Sequence, residues 1–290
     1  MNLEQVANHI LELIRKTSTD LPADVENALR KAAETEQGRA RTTLDLILKN
    51  VEAARESSTP ICQDTGSLLF FVEHGPDVAQ SDLQGAIEGA VVEATRRNWL
   101  RPNAVDPITG MNSGNNLGAG SPYVHFEQVN ETGRLEVRLM LKGGGSENCG
   151  VQYALPDSAL GAGRDVRGIK RCLVDAVVRA QGFGCAPGTL GVGIGGDRMT
   201  SYLESKLQLL RPLDDTNPDP VLADIEREML EKLNGLGIGP MGFGGKTTLL
   251  GLKIGKRHRL PACFFVSVSY MCWAYRRRRL LVDGGGATID

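Results

Sequence analysis

Cysteine, glutamine and aspartate stand side by side in Cys62-Gln63-Asp64-Thr65-Gly66, the first stretch whose residue types could do chemistry. A thiolate can hold a metal or attack an electrophile, and a neighbouring carboxylate can take or deliver a proton. Two further loops mix glycine with polar groups: Asn112-Ser113-Gly114-Asn115-Asn116 and Lys142-Gly143-Gly144-Gly145-Ser146-Glu147-Asn148. Consecutive glycines let backbone N–H groups approach an anion closely, and a nearby lysine or arginine adds charge, so such loops suit a carboxylate or a phosphate. Any one of them alone reads as a turn. All three, with a cysteine embedded in the first, point to a small-anion site.

Other glycine-rich stretches carry less. Gly191-Val-Gly193-Ile-Gly195-Gly196 satisfies G-x-G-x-x-G, but a dinucleotide site needs a strand before the glycines and a helix starting within them. Here the apolar residues lie among the glycines, so a tight strand that permits close packing is the favoured reading. Gly244-Gly245-Lys246-Thr247 has the end of a P-loop, yet Pro240 stands where the first glycine of that pattern belongs.

Six cysteines, Cys62, Cys149, Cys172, Cys185, Cys263 and Cys272, are spread over more than two hundred residues and form no C-x-x-C. That excludes the zinc-ribbon, thioredoxin and ferredoxin-loop patterns. The N-terminus lacks the charged-then-apolar pattern of a secretory signal, so a reducing, cytoplasmic setting without disulfides is expected, where cysteines are core residues, metal or cluster ligands, or nucleophiles. The longest apolar stretch, Ala262 to Tyr275, is too short to span a bilayer as a helix. With 41% hydrophobic and 23% charged residues and a net charge of −2, bulk composition excludes disorder and gives no sign of nucleic-acid binding. The run Arg276 to Arg279 is expected to be a solvated edge or a subunit contact.

The elements that must position these residues follow from periodicity. Val6, Ile10, Leu13 and Ile14 fall on one helical stripe, and Leu44, Ile47, Leu48 and Val51 on another, with Ser57-Ser58-Thr59-Pro60 ending the helical region. Ser67 to Val72 reads as a buried strand, and Ser81 with Gln84 as a capping box for a helix reaching Arg97. Arg101 to Gly120 is a loop; Tyr123 to Gln128 and Leu135 to Leu141 are predicted to pair as a hairpin. Helices are expected at Gly168 to Ala180, Met199 to Leu210 and Val221 to Leu233, and strands at Thr189 to Ile194, Leu249 to Ile254, Cys263 to Tyr270 and Leu280 to Val282. The fold class is α+β, a helical N-terminal layer (residues 1–58) packed with a mixed sheet region (59–290), expected to form one continuous domain with no internal repeat.

Seven motifs in order resemble one family, the class I, iron–sulfur-dependent fumarate hydratases and the L(+)-tartrate dehydratases, specifically their α subunit or N-terminal catalytic part. They are Pro60-Ile-Cys-Gln-Asp-Thr-Gly66, Leu100-Arg-Pro-Asn-Ala-Val105, Asn112-Ser-Gly-Asn115, Lys142-Gly-Gly-Gly-Ser-Glu-Asn148, Gly184-Cys-Ala-Pro187 with Gly191 to Gly196, Gly242-Phe-Gly-Gly-Lys-Thr247, and Arg257-His258 leading to Cys272-Trp273. The resemblance implies a [4Fe–4S] cluster held by Cys62, Cys185 and Cys272, with one iron left open as a Lewis acid. One departure is Ala186, where the family often has a proline after the cysteine. Cys149, Cys172 and Cys263 match no ligand of the family and are expected to be small buried hydrophobes.

By the same resemblance Gln63, Asp64, Arg101 and Gly145 line the substrate carboxylates, with Asp64 a candidate proton donor to the hydroxyl and His258 a histidine close to the site. Arg101 suits a bidentate carboxylate clamp and Gly145 a backbone donor. Seen without the motifs, Asp64 could equally be a turn residue and His258 a surface side chain. The activity implied is reversible hydration of fumarate to (S)-malate, with tartrate to oxaloacetate as the alternative substrate. A cluster-based redox sensor and a metal-free binding module are the readings from other classes. The family's catalytic base lies in a second part that is not found before Asp290, which implies a separate β subunit in an αβ or (αβ)2 assembly.

Overall fold

A computed structural model of the chain describes residues 2–284 and 286–290. Its contacts divide the chain into two compact units, one built from Met1–Pro22, Lys49–Gly144 and Arg276–Asp290, the other from Ala23–Leu48 and Gly145–Tyr275.

The first unit is a five-stranded sheet under two helices. Helix α1 (Leu3–Thr19) starts where the Asn2 side chain accepts the N–H groups of Glu4 and Gln5, and its stripe of Val6, Ile10, Leu13 and Ile14 is buried. Helix α4 (Gln80–Arg96) packs beside it, and both cover strands β1 (Ser67–His74), β2 (Tyr123–Gln128), β3 (Leu135–Lys142), β8 (Arg276–Asp283) and β9 (Gly286–Ile289). The strand order is β2-β1-β3-β8-β9.

Three expectations change here. The strands predicted as a hairpin form, but β1 lies between them, parallel to β2 and antiparallel to β3, with Leu69 opposite Tyr123 and Phe70 opposite Leu139. The continuous apolar run Leu68 to Val72 buries both of its faces, and such a strand takes the centre of a sheet, whereas the half-exposed β2 takes the edge. The capping box does not form: α4 begins at Gln80, one residue before Ser81, and its N-cap, Ala79, offers no side-chain acceptor. Of the arginine run only Arg279 is exposed, so the run as a whole is no solvated edge. It lies in β8 between β3 and β9, with Arg276 and Arg277 only 1% and 8% exposed and Arg278 donating to the Asp20 carboxylate and the Leu21 carbonyl. The short β9, which shows no periodic signal in sequence, takes the edge position instead.

In the second unit the sheet order is β4-β7-β5-β6, built from β4 (Val151–Ala154), β5 (Gly188–Gly195), β6 (Leu249–Arg257) and β7 (Phe265–Met271). Strand β5 runs parallel to β6 and antiparallel to β7. Helices α6 (Val166–Ala180) and α8 (Pro220–Asn234) fill one face with apolar side chains, each begun by an aspartate N-cap, Asp165 and Asp219. Helix α7 (Arg198–Gln208) lies against the glycines of β5: a methyl on Gly191 or Gly193 would collide with the carbonyl of Ser205 or Ser201. Ser201 and Ser205 in turn hydrogen-bond Ser267 and Ser269 of β7 at 2.8 and 2.7 Å. The glycine pattern is therefore a packing device between a strand and the helix face that carries Ser201 and Ser205. Helix α2 (Ala23–Thr35) and the first turns of α3 (Gly38–Ser57) complete this unit. Among the described residues no helix is long and apolar enough to cross a membrane.

Candidate active site: an aspartate turn and a cysteine pair

In the first unit the Cys62 to Gly66 loop is fixed at its entry, where Ile61 donates its N–H to Ser18 and receives the Asn50 amide on its carbonyl. Asp64 then uses both carboxylate oxygens. One accepts the N–H of Gly66 at 2.9 Å, the local bond of an Asx turn, and the other accepts the N–H of Gly144 at 2.6 Å. Gly66 has φ +82°, and a side chain there would run into the backbone of Lys142, so only glycine lets the turn lie this close to the end of β3.

Thr65 is buried, and its hydroxyl accepts the Arg101 N–H at 3.1 Å and the Asn103 side-chain amide at 3.0 Å. The buried Asn116 receives the Asn103 N–H and donates to the Arg101 carbonyl and the Thr95 hydroxyl. The loops that looked irregular in sequence are thus one hydrogen-bonded fabric. It leaves an open cleft of about 660 Å³ lined by Asp64, Asn103, Asn112, Asn116, Tyr123 and Gly144. Gln63, Asp64 and Arg101 are exposed.

One residue that sequence reasoning assigned elsewhere belongs to this neighbourhood. The Arg276 guanidinium is buried, and its Nε and Nη1 have no hydrogen-bond partner among the described residues. A methyl placed on Gly143 would sit 3.0 Å from an Asp64 carboxylate oxygen and 3.9 Å from Arg276 Nη2. A cation so poorly solvated draws negative charge toward it, and the nearby carboxylate is Asp64. Alternation along β8 would have placed Arg276 on the helix-covered face had that strand been recognised as interior.

The second unit holds two of the candidate ligands together. Cys185 closes a turn after α6 with φ +54°, an uncommon conformation for a residue bearing a side chain. Its carbonyl accepts the N–H of Trp273, and the neighbouring Cys272 donates its N–H to the Ser146 hydroxyl, both at 3.1 Å. Ala186 is fully buried and its carbonyl receives the Met241 N–H, so the turn is anchored without a second proline. The ring of Tyr270 fills the space beside Gly184 and Gly188, where a methyl on either would overlap it. Burial pushes the Tyr270 phenol well above its ordinary range, and the sulfurs of Cys272, Cys149 and Cys185 push it further.

Gly145 lies with Asn148, Cys149 and Phe183 along a second cleft of about 560 Å³. The helix α5 (Gly144–Asn148), unforeseen in sequence, carries this glycine and Ser146. None of the six cysteines forms a disulfide. Cys172 is a core residue whose thiol burial pushes up to about 12, whereas Cys149 and Cys263 are half-exposed rather than buried as expected. Among the described residues no three His, Cys, Asp or Glu side chains are gathered as a metal-ion site.

His258 stands apart from the cysteine pair. It follows the C-terminal end of β6, level with Gly195 of β5, while Cys185 and Cys272 flank the Gly188 end of the same sheet. Eight residues of strand separate the two ends by roughly 23 Å. The Gly244 to Thr247 loop already has its anion: the buried Glu36 carboxylate accepts the N–H groups of Lys246 and Thr247 at 2.7 and 2.6 Å.

Comparison with known proteins agrees with the seven motifs. A family model described as fumarate hydratase (Fumerase) matches residues 7–280. A Geobacillus stearothermophilus protein, provisionally named a class I fumarate hydratase, is 48% identical over 97% of this chain. The matched region is 55% of that protein, so this chain spans about half of its length. A Methanocaldococcus jannaschii protein, provisionally named an L(+)-tartrate dehydratase subunit alpha, is 35% identical over 96% of this chain and 99% of its own. The L(+)-tartrate dehydratase subunit alpha of Escherichia coli K12 is 31% identical over 97% of this chain and 93% of its own. With the family model covering nearly the whole length, the chain belongs to the fumarate hydratase (Fumerase) family.

Proposed function

We propose that this chain is the α component of an iron–sulfur hydro-lyase that hydrates fumarate to (S)-malate and reverses that reaction. The observation that carries the reading is the Asp64 turn. Its carboxylate is exposed on a cleft, held by two backbone N–H groups, and sits beside a buried arginine and a three-glycine loop. Such a carboxylate is fixed in direction yet open to a ligand, as a proton donor to a hydroxyl must be.

The residues present fit a cluster. Cys185 and Cys272 stand on adjoining backbone turns and form no disulfide, and the buried Tyr270 hydroxyl nearby has no hydrogen-bond partner among the described residues. Cys62, Cys185 and Cys272 would hold a [4Fe–4S] group, whose open iron, when bound, supplies a Lewis acid for the hydroxyl and carboxylate of a 2-hydroxy acid. This chain's own residues do the rest. Asp64 exchanges the proton of the leaving or entering hydroxyl, Arg101 clamps a substrate carboxylate, and Gln63 and the Gly145 amide line the substrate. His258, the histidine that the resemblance puts close to the site, lies at the far end of the sheet from the cysteine pair and is given no step in this reading. The base on the opposite face comes from a separate β subunit, in an αβ or (αβ)2 assembly working in the cytoplasm.

Tartrate dehydration is the second reading, supported by the 35% and 31% identical relatives named as L(+)-tartrate dehydratase α subunits, beside 48% for the fumarate hydratase relative. A cluster used only for redox sensing would leave Asp64, Arg101 and their cleft without a task. The test is an anaerobic assay of the reconstituted chain, with and without a β subunit, on fumarate, (S)-malate and L(+)-tartrate. Turnover of fumarate and malate only when both chains are present supports the reading. Turnover of tartrate alone replaces it with the second, and inertness toward all three overturns both.

A further inference from the structure

Tyr270 is 1% exposed, and its hydroxyl makes no hydrogen bond among the described residues. A buried hydroxyl left without a partner destabilises a fold, and a phenylalanine would fill the same space without that penalty. The surroundings show what the hydroxyl faces. Its ring lies against Gly184 and Gly188, the two glycines that bracket the Cys185 turn, and a methyl on Gly188 would overlap both the ring and the hydroxyl oxygen. Tyr270 also precedes Cys272 by two residues on β7, and Leu190 of β5 pairs with it across the sheet. The phenol therefore lies against the backbone segment that carries Cys185, on a strand that leads directly into Cys272, and the two glycines hold open the space that it fills.

We infer that Tyr270 is a positioning residue for the iron–sulfur group, donating its O–H to a sulfur of the group that Cys185 and Cys272 hold. The inference rests on the cluster reading of the proposed function and extends it to a residue outside the ligand set. A hydroxyl can donate to sulfur, and a bond to an anionic sulfur is the stronger kind. Hydrogen bonds to cluster sulfurs stabilise the electron-rich state, raise the reduction potential and protect the group from oxidative loss. Tyr270 touches neither substrate nor reacting atoms in this account; it acts through the sulfur.

The experiment compares wild-type chain with Tyr270→Phe after anaerobic iron and sulfide loading, reading iron content, midpoint potential, EPR spectrum and the decay of visible absorbance in air. The variant should bind the same iron with an unchanged Tm, show a more negative potential, and lose its absorbance roughly tenfold faster. 3-Fluorotyrosine incorporated at position 270 keeps the hydroxyl and makes it a better donor. It should move the potential the opposite way, which keeps the idea testable if the phenylalanine variant folds poorly. Equal potentials and decay rates across the three proteins overturn this inference and leave the cluster reading standing. Wild-type chain that takes up no cluster overturns both.

Discussion

Two glycine-rich regions of the second unit sit within a few residues of each other and do different work. Along β5, Gly191 and Gly193 vanish beneath α7, where any side chain would strike a helix carbonyl, so these glycines set how closely two backbones approach. At the start of the same strand, Gly184 and Gly188 make room for the phenol of Tyr270 beside a cysteine. In the first unit, Gly143 likewise stands between the Asp64 carboxylate and the Arg276 guanidinium. One group of glycines accommodates the fold; the other accommodates functional groups. Filling the first group should damage stability before chemistry, and disturbing the second should damage chemistry while the fold survives.

The largest effect is expected where two backbones meet. Gly193→Ala should destabilise the chain by about 3 kcal/mol, the upper end for overpacking a tight interior, as read by urea denaturation. An unchanged midpoint would show that α7 can move away. Next comes Asp64→Asn, expected to lower kcat about 10²-fold or more while Tm stays within a few degrees. If Tm collapses instead, the carboxylate serves the turn rather than the reaction. Gly143→Ala, which would bring a methyl to 3.0 Å from an Asp64 oxygen, should reduce kcat/KM about tenfold with little loss of stability. The smallest effect is assigned to His258→Ala, less than about threefold in kcat/KM, because roughly 23 Å of strand lies between it and the cysteine pair. A loss equal to that of Asp64→Asn would place His258 at the reaction.

Much of this was legible in the residues themselves. The stripe of α1, the helices α6 to α8 and the buried β5 follow from spacing alone, since apolar period and burial coincide. Strand order was not, because adjacency in sequence favours a hairpin for β2 and β3, whereas β1 is apolar on both faces and claims the position between them. The arginine run misled for a related reason: charge signals solvent unless the strand carrying it is known to be interior, and β9, which makes β8 interior, is only four residues long. In the candidate site, the polar glycine loops named Asp64 and its neighbours, but no pattern announces that a backbone amide of Gly144 reaches the carboxylate or that a phenol lies beneath Cys185. Those contacts join residues far apart in the chain, here 64 with 144 and 184 with 270.

The cysteines give the most direct test, because the account divides them. Cys62, Cys185 and Cys272 are assigned as ligands, Cys149 is a half-exposed thiol outside the set, and Cys172 is held protonated in the core. Each of Cys62, Cys185, Cys272 and Cys149 is changed singly to serine, the full chain is loaded anaerobically with iron and sulfide, and bound iron is measured. Wild type and Cys149→Ser should retain about four irons per chain, and each of the other three variants should lose most of them while remaining folded. Full retention of iron in Cys62→Ser, Cys185→Ser or Cys272→Ser, or its loss in Cys149→Ser, would contradict the assignment.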